Sequence, residues 1–462
     1  MARRSNHRQN GRQTGHQTGH QTGHKSRRKI GLLRVGLWSL GVVGLLLAVG
    51  AGTLTLLGMP VYDVPRPEVA VEVTPQRVAR GKRLVSMLCW RCHYDSRAGG
   101  LRGRVLDEVP TRLGKVSAPN ITRDPQAGIG EWSAADVAVL LRTGIHPKTG
   151  QVVPPPVMPR WPGLADEDLL AILAFLQSDD PWVAPRSEQP PPTQYSLVAK
   201  YRALVGWGPL PYPRAPIEAP AAHALEARGA YLVDHVLQCA ACHSETWGEF
   251  DSQNPKTTAG YLAGGAATSD INGVVLRAAN LTPHATGLES WTFEQVRRAL
   301  LDGFGPDGKV LRWPMQRFPG LDGRDVEAIY AYLQTLTPVD NEVEPSPPYR
   351  MIGRKADGGR HLYLRYGCYY CHGDDGDGVA DLRGASARLS TDAELVAFLE
   401  DPAEDDPLTP MPAWSGVIAK DEYPDLCAYI RRLGVAGKGQ DGDEDGVEDG
   451  NEDKSEGSKS GG

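Results

Sequence analysis

The chain has 462 residues, 40% of them hydrophobic, with 37 prolines, 53 glycines and seven cysteines. That length suits about three domains, and so much proline and glycine excludes one large core of long regular elements in favour of small, loop-rich units. The formal net charge of −6 hides an asymmetry: the first 34 residues carry nine Lys/Arg and no acid, leaving −15 on everything after them, and no nucleic-acid partner is expected.

Residues 1–34 form a basic arm. It contains three tandem Gln-Thr-Gly-His units ending at His16, His20 and His24, a composition that suits disorder better than a specific metal site. From Val35 to Tyr62 no side chain is charged, more than the roughly 20 residues that cross a membrane as a helix. We assign the spanning helix to residues 35–59. The basic flank should stay cytoplasmic, giving a single-pass protein of the inner membrane with its bulk on the periplasmic side. A cleaved secretory signal is the alternative, but the apolar stretch exceeds the usual length of about 7–15 residues, and no small-x-small cleavage site follows. Gly44, Ala48 and Gly52 share a face that would let a partner helix approach, although glycine is common in membrane helices anyway.

After the anchor one unit is repeated. Cys-x-x-Cys-His occurs at Cys89-Trp90-Arg91-Cys92-His93, Cys239-Ala240-Ala241-Cys242-His243 and Cys368-Tyr369-Tyr370-Cys371-His372. The pattern reads as covalent attachment of haem c: two thiols three positions apart each form a thioether with one porphyrin edge, and the histidine is held beneath the iron. Zinc would need four N/S ligands, usually from paired motifs, which isolated triplets do not supply. The motifs use six of the seven cysteines, so no disulfide framework remains. Cys427 is read as a small buried hydrophobe.

Each motif is preceded by Gly-x-x-Leu (Gly81/Leu84, Gly229/Leu232, Gly359/Leu362). Each unit closes with an apolar helix holding a small residue and an aromatic (Ala174-Phe175, Ala331-Tyr332, Ala428-Tyr429). Two helices with one apolar face each can pack across one another beside the haem. In the first two units Asn120-Ile121-Thr122 matches Asn280-Leu281-Thr282, and Trp132-Ser133 matches Trp291-Thr292. Ser133 and Thr292 are natural N-caps for helices starting near Ala134 and Phe293. Trp132, Trp291, Asn120 and Asn280 are candidates for bonding haem propionates, or else ring covers and turn formers.

Before each final helix a proline-rich loop offers one methionine: Met158 in Pro156-Val157-Met158-Pro159, Met315 in Trp313-Pro314-Met315 and Met411 in Pro410-Met411-Pro412. Proline keeps such a loop extended, and a thioether sulfur opposite histidine gives a high-potential haem. The metal ligands expected are therefore His93 with Met158, His243 with Met315, and His372 with Met411. His284 or His235 is the substitute should Met315 not ligate.

The domains are drawn at 75–183, 221–338 and 356–434, with a Pro-rich linker at 184–220 and an acidic disordered tail at 435–462. In that tail Asp441, Asp443, Asp445, Gly446 and Glu452 meet the calcium-loop spacing by position, but Glu448 takes the apolar place and no amphipathic helix flanks the loop.

Residues 75 to 434 resemble class I cytochrome c domains. The first two, with Asn-Ile/Leu-Thr and the proline-framed methionine, are similar to tandem modules in the multihaem cytochrome subunits of membrane-bound dehydrogenases. The third, with Cys368-Tyr369-Tyr370-Cys371-His372-Gly373 and Met411-Pro412-Ala413-Trp414, is similar to small single-haem cytochromes. The resemblance implies an all-α fold, three His/Met haems and electron transfer from a dehydrogenase or quinol-oxidising partner to an oxidase or soluble cytochrome. No independent catalytic activity is expected. A haem enzyme, peroxidase or dehydrogenase, is the alternative, and it would need one iron with an open distal position.

Overall fold

The computed structural model describes residues 23–96, 99–106, 109–246, 249–269, 274–345 and 358–435. The histidine repeats up to His20, the acidic tail from 436 and its calcium-loop pattern lie outside the described residues. The chain divides into two compact bodies, residues 1–58 and 59–462.

The N-terminal body holds helix α1, Gly23–Leu57. Within it Leu37–Leu56 is long and apolar enough to cross a membrane. Along it Leu40, Leu45, Leu46 and Leu47 are exposed, and nothing lies within 4 Å of where a Cβ would stand on Gly44 or Gly52.

The second body is mostly helical and, among the described residues, is organised by three helix crossings. Helix α2, Pro75–Leu88, starts where Thr74 caps it and Pro75 fixes the first turn. It is followed by α3, Ala134–Thr143, and crosses α4, Asp166–Leu176. After α5, Leu197–Val205, come α6, Leu225–Tyr231, and α7, Phe293–Arg297. Helix α6 crosses α8, Gly323–Gln334. In the third region α9, Gly358–Arg365, precedes α10, Asp392–Glu400, and crosses α11, Tyr423–Val435.

The Gly-x-x-Leu signature marks the crossing point in all three. A Cβ on Gly81 would stand 1.9 Å from the Ala171 carbonyl oxygen and 2.7 Å from Cβ of Phe175. On Gly229 it would stand 1.9 Å from the Ala328 oxygen and 2.7 Å from Cβ of Tyr332, and on Gly359 2.1 Å from the Asp425 oxygen and 2.7 Å from Cβ of Tyr429. Only glycine lets the backbones come so close. The partnering leucines Leu84, Leu232 and Leu362 are buried beside each contact. The aromatic half of the Ala-aromatic pair thus lies at the crossing, while the small residue there stands four positions earlier, at Ala171 and Ala328.

Ser133 and Thr292 are N-caps as expected, each closing a reciprocal box with Asp136 or Gln295. Two features depart from an all-helical chain joined by bare linkers. Three two-stranded antiparallel ladders pair Arg104–Val105 with Ser117–Ala118, Gly114–Lys115 with Gln194–Tyr195, and Ala267–Ser269 with Val275–Arg277. Strands of two or three residues carry no alternation to read. The stretch 184–220 is also more than a spacer. It supplies one of those strands and α5, whose Ala199 packs with Leu113 and Trp207 in a small core of its own. Cys427 is fully buried in α11.

Candidate functional site

Each Cys-x-x-Cys-His segment folds as one tight turn. The Cys89 carbonyl accepts from the backbone N–H of Cys92 (3.1 Å) and His93 (2.9 Å); Cys239 does so from Cys242 (3.2 Å) and His243 (2.8 Å), and Cys368 from Cys371 (3.3 Å) and His372 (3.0 Å). Helical spacing of i, i+3 and i+4 sets both thiols and the imidazole on one face.

The three imidazoles are oriented alike. Nδ1 of His93 lies 2.8 Å from the Pro119 carbonyl, Nδ1 of His243 2.9 Å from that of Ala279, and Nδ1 of His372 2.6 Å from that of Ala380. A carbonyl only accepts, so Nδ1 donates and Nε2 keeps its lone pair, the tautomer a metal-ligating histidine needs. Burial holds all three rings below the ordinary imidazole range, favouring the neutral form.

The residue after each accepting carbonyl closes an Asx turn. Asn120 Oδ1 accepts from the Thr122 N–H (2.8 Å), Asn280 Oδ1 from the Thr282 N–H (2.9 Å), and Asp381 Oδ1 from the Arg383 N–H (2.7 Å). This fixes the carbonyl that in turn aims the histidine. Asn120 and Asn280 are spent in that role, since their amide nitrogens donate to the Arg186 and Val339 carbonyls. The turn-former reading of these two residues therefore holds over the propionate reading. Asp381 was not foreseen, because the third unit has no Asn-x-Thr and Asp381 follows its histidine far sooner in the chain than Asn120 and Asn280 follow theirs.

The methionines fall into different surroundings. Met411 lines a cavity of about 300 Å³ together with Cys368, Cys371 and His372. Met315 lines that same cavity from the second unit's side. Met158 packs against the main core, and Val157 beside it shares a small apolar cluster with Cys92. The loop after Met158 is clamped by Arg142, which is buried and donates to the carbonyls of Trp161 (3.2 Å), Pro162 (3.1 Å) and Leu164. His284 Nδ1 accepts from the Thr286 N–H (3.2 Å), in the loop that carries the Ala279 carbonyl. The His235 ring packs against Gly163 of the first unit.

The first two units also share a buried junction with a local two-fold pattern. Arg80 binds Asp168 (2.9 Å) and Arg228 binds Asp325 (3.0 Å), each within its own unit. Across the junction the Tyr231 hydroxyl donates to Asp168 (2.7 Å), and Arg83, at the matching position, reaches Asp325 (3.8 Å). The loops Met158-Pro-Arg-Trp-Pro-Gly-Leu164 and Met315-Gln-Arg-Phe-Pro-Gly-Leu321 are exchanged in the same sense. Gly163 abuts His235, while Gly320 abuts Arg83 and Met87. The third unit joins by other contacts. Arg317 donates to the Thr409 carbonyl (3.0 Å), the Asp381 N–H donates to Ser96 (3.0 Å), and Arg312 stacks 4.9 Å from the Tyr370 ring. Next to Arg312, Trp313 carries Arg91 of the first motif over its ring at 5.1 Å.

The donor set fits covalent haem better than a metal cluster. Burial pushes the Cys89, Cys239, Cys368 and Cys371 thiols up to about 12, so these sites favour an uncharged sulfur, as a thioether is and a zinc thiolate is not. Among the described residues no three His, Cys, Asp or Glu side chains converge as a metal site. The Trp313 indole N–H on the cavity wall is buried and has no acceptor, as a donor awaiting a propionate would be. Trp132 and Trp291 are only half-buried.

Residues 78–179 match the cytochrome c family, so a cytochrome c domain is present, and with it a site for covalently bound haem c. The chain is 28% identical over 315 residues to the cytochrome c subunit of a quinone alcohol dehydrogenase from Gluconacetobacter polyoxogenes, which takes in 63% of this chain and 64% of that relative. It is 25% identical over 363 residues to the fructose dehydrogenase cytochrome subunit of Gluconobacter japonicus, covering 71% and 70% of the two chains. It is 27% identical over 311 residues to a diheme cytochrome c-type protein of Cereibacter sphaeroides, covering 64% of this chain and 97% of the relative. The chain thus spans just under two thirds of the first relative's length, and it resembles the cytochrome c subunits of membrane-bound dehydrogenases.

Proposed function

We propose that this chain is a membrane-anchored trihaem c-type cytochrome of the inner membrane with its haem domains, residues 75–183, 221–338 and 356–434, on the periplasmic side. It would carry electrons from a dehydrogenase or quinol-oxidising partner to a downstream oxidase or soluble cytochrome. The observation that carries the reading is the threefold recurrence of one arrangement: two half-buried thiols and a neutral imidazole whose Nδ1 proton is committed to a carbonyl fixed by an Asx turn. The dehydrogenase partner is supported by what the relatives are named for.

Cys89 with Cys92, Cys239 with Cys242, and Cys368 with Cys371 would hold the groups covalently, with His93, His243 and His372 as one axial ligand and Met158, Met315 and Met411 as the other. Bound haem would supply a one-electron Fe(II)/Fe(III) couple. The protein's part is to hold each imidazole still through Pro119, Ala279 and Ala380, and to present a soft thioether that favours the reduced state.

Carbon monoxide separates an electron carrier from a haem enzyme. The dithionite-reduced protein is expected to leave its Soret band unchanged under carbon monoxide, because every distal position is filled. A shift involving about a third of the haem would mark one open iron and turn the reading to catalysis. Protease added to spheroplasts should remove the haem domains and spare the basic arm.

A further inference from the structure

Helix α5 carries an apolar face that the rest of the protein leaves uncovered. Leu197, Val198, Tyr201, Leu204 and Val205 are between 42% and 62% exposed, while Ala199 and Ala203 on the opposite side are buried. At about 100° per residue the five exposed side chains fill one arc of about 120°. Lys200 lies beyond one edge of that arc and Arg202 beyond the other; the helix contains no acid. An apolar arc bounded by two long cations is the arrangement of a helix lying in the plane of a lipid surface, its stems running along the apolar face and its charges among the headgroups. Elsewhere from residue 59 on, the exposed large apolar side chains among the described residues are the scattered Val61, Val73, Val105, Val275 and Phe293, which need no explanation.

The chain itself says which surface is at hand. Four residues, Leu57 to Pro60, separate the end of the apolar span at Leu56 from Val61, whose backbone is bridged to Gln151. That length reaches at most about 17 Å. Beside Val61, Tyr62 packs on the small cluster of Val139, Ile145 and Val152, and so does Tyr212, downstream of α5. The segment between is tied down alongside: the Leu210 N–H donates to the Thr143 carbonyl (3.0 Å), and Arg160 donates to that of Gly208 (2.7 Å).

We infer that α5 is a second membrane contact, an interfacial helix that seats the apolar arc Leu197–Val205 in the outer leaflet. The inference rests on reading Leu37–Leu56 as a membrane span. A single span leaves a domain free to swivel, and a second contact would fix which face of the first domain points away from the bilayer.

Photo-crosslinking on the full-length, haem-loaded protein in its own membrane tests this. A benzophenone side chain replaces Tyr201 in one variant, Leu46 within the span in a second, and Val275 in a third. Lipid adducts are expected at positions 46 and 201 and not at 275. Adding Leu204→Asp and Val205→Asp should lower the adduct at 201 at least about fivefold without loss of haem. Lipid at 46 with a protein adduct at 201 would assign the face to a partner subunit and overturn the inference. Lipid at 46 with nothing at 201, or equal lipid labelling at 201 and 275, would overturn it too. No lipid adduct at 46 would remove the anchor itself, and the inference with it.

Discussion

In the first two units an arginine stands before the crossing glycine, Arg80 and Arg228, and an aspartate stands three residues before the small residue it meets, Asp168 and Asp325. In the third unit Gly358 takes the arginine's place, and Glu422 takes the aspartate's. Glu422 turns to its own unit's surface, where it accepts from Arg365 (2.8 Å) and Tyr366 (2.5 Å). The histidine, its carbonyl and the Asx turn are common to all three. What holds the Cys-x-x-Cys-His turn is therefore separable from what joins one unit to the next: a unit of this kind can be appended by changing the carboxylates and arginines of its contact face while its interior stays fixed.

The largest effect should come from what the three share. Gly81→Val, Gly229→Val or Gly359→Val forces side-chain atoms into a backbone carbonyl, and each should destabilise its own unit by about 3 kcal/mol or more. Thermal unfolding and the haem content of the purified protein would read this. Equal tolerance at all three positions would mean that the crossings are looser than 1.9 to 2.1 Å separations allow.

The junction should show the difference between the regions. Asp325→Asn leaves Arg228 and Arg83 beside a neutral amide and should cost about 2 kcal/mol, below the ~3–5 kcal/mol of a fully buried pair because the arginines keep some solvent. The melting of the first two units should fall while the third is unchanged. Glu422→Gln should leave the first two units' transition where it is. A loss of stability there from Glu422→Gln would show that the carboxylate joins units after all.

A smaller effect separates the methionine loops. Met158→Ala and Met411→Ala should each remove about a third of the Met-to-iron charge-transfer absorbance of the oxidised protein. Met315→Ala is the sharper case, since Met315 lines the cavity that holds Cys368 and His372. Loss of the same fraction assigns it to His243 as proposed, and an unchanged spectrum would give the middle site a different second ligand.

Part of the site was legible because the Cys-x-x-Cys-His turn has a fixed spacing, and the glycines that mark the helix crossings before it are visible as strings too. The carbonyls of Pro119, Ala279 and Ala380 were not, since a backbone oxygen has no sequence signature and only the turn residue behind it can betray it. Arg80 and Arg228 directly precede the crossing glycines, and Asp168 and Asp325 stand three residues before Ala171 and Ala328, so alignment of the first two units could have found them, though not which aspartate Tyr231 crosses to. Helix α5 was hidden by Pro190, Pro191 and Pro192 just upstream, which give the whole stretch the composition of a linker.

The account stands on three like sites, and the intact mass of the purified protein tests that most directly. It predicts three covalent haem additions, falling to two when either Cys239→Ala with Cys242→Ala or Cys368→Ala with Cys371→Ala is introduced. A mass carrying one or two haems in the unaltered protein, or zinc in place of haem, would contradict it.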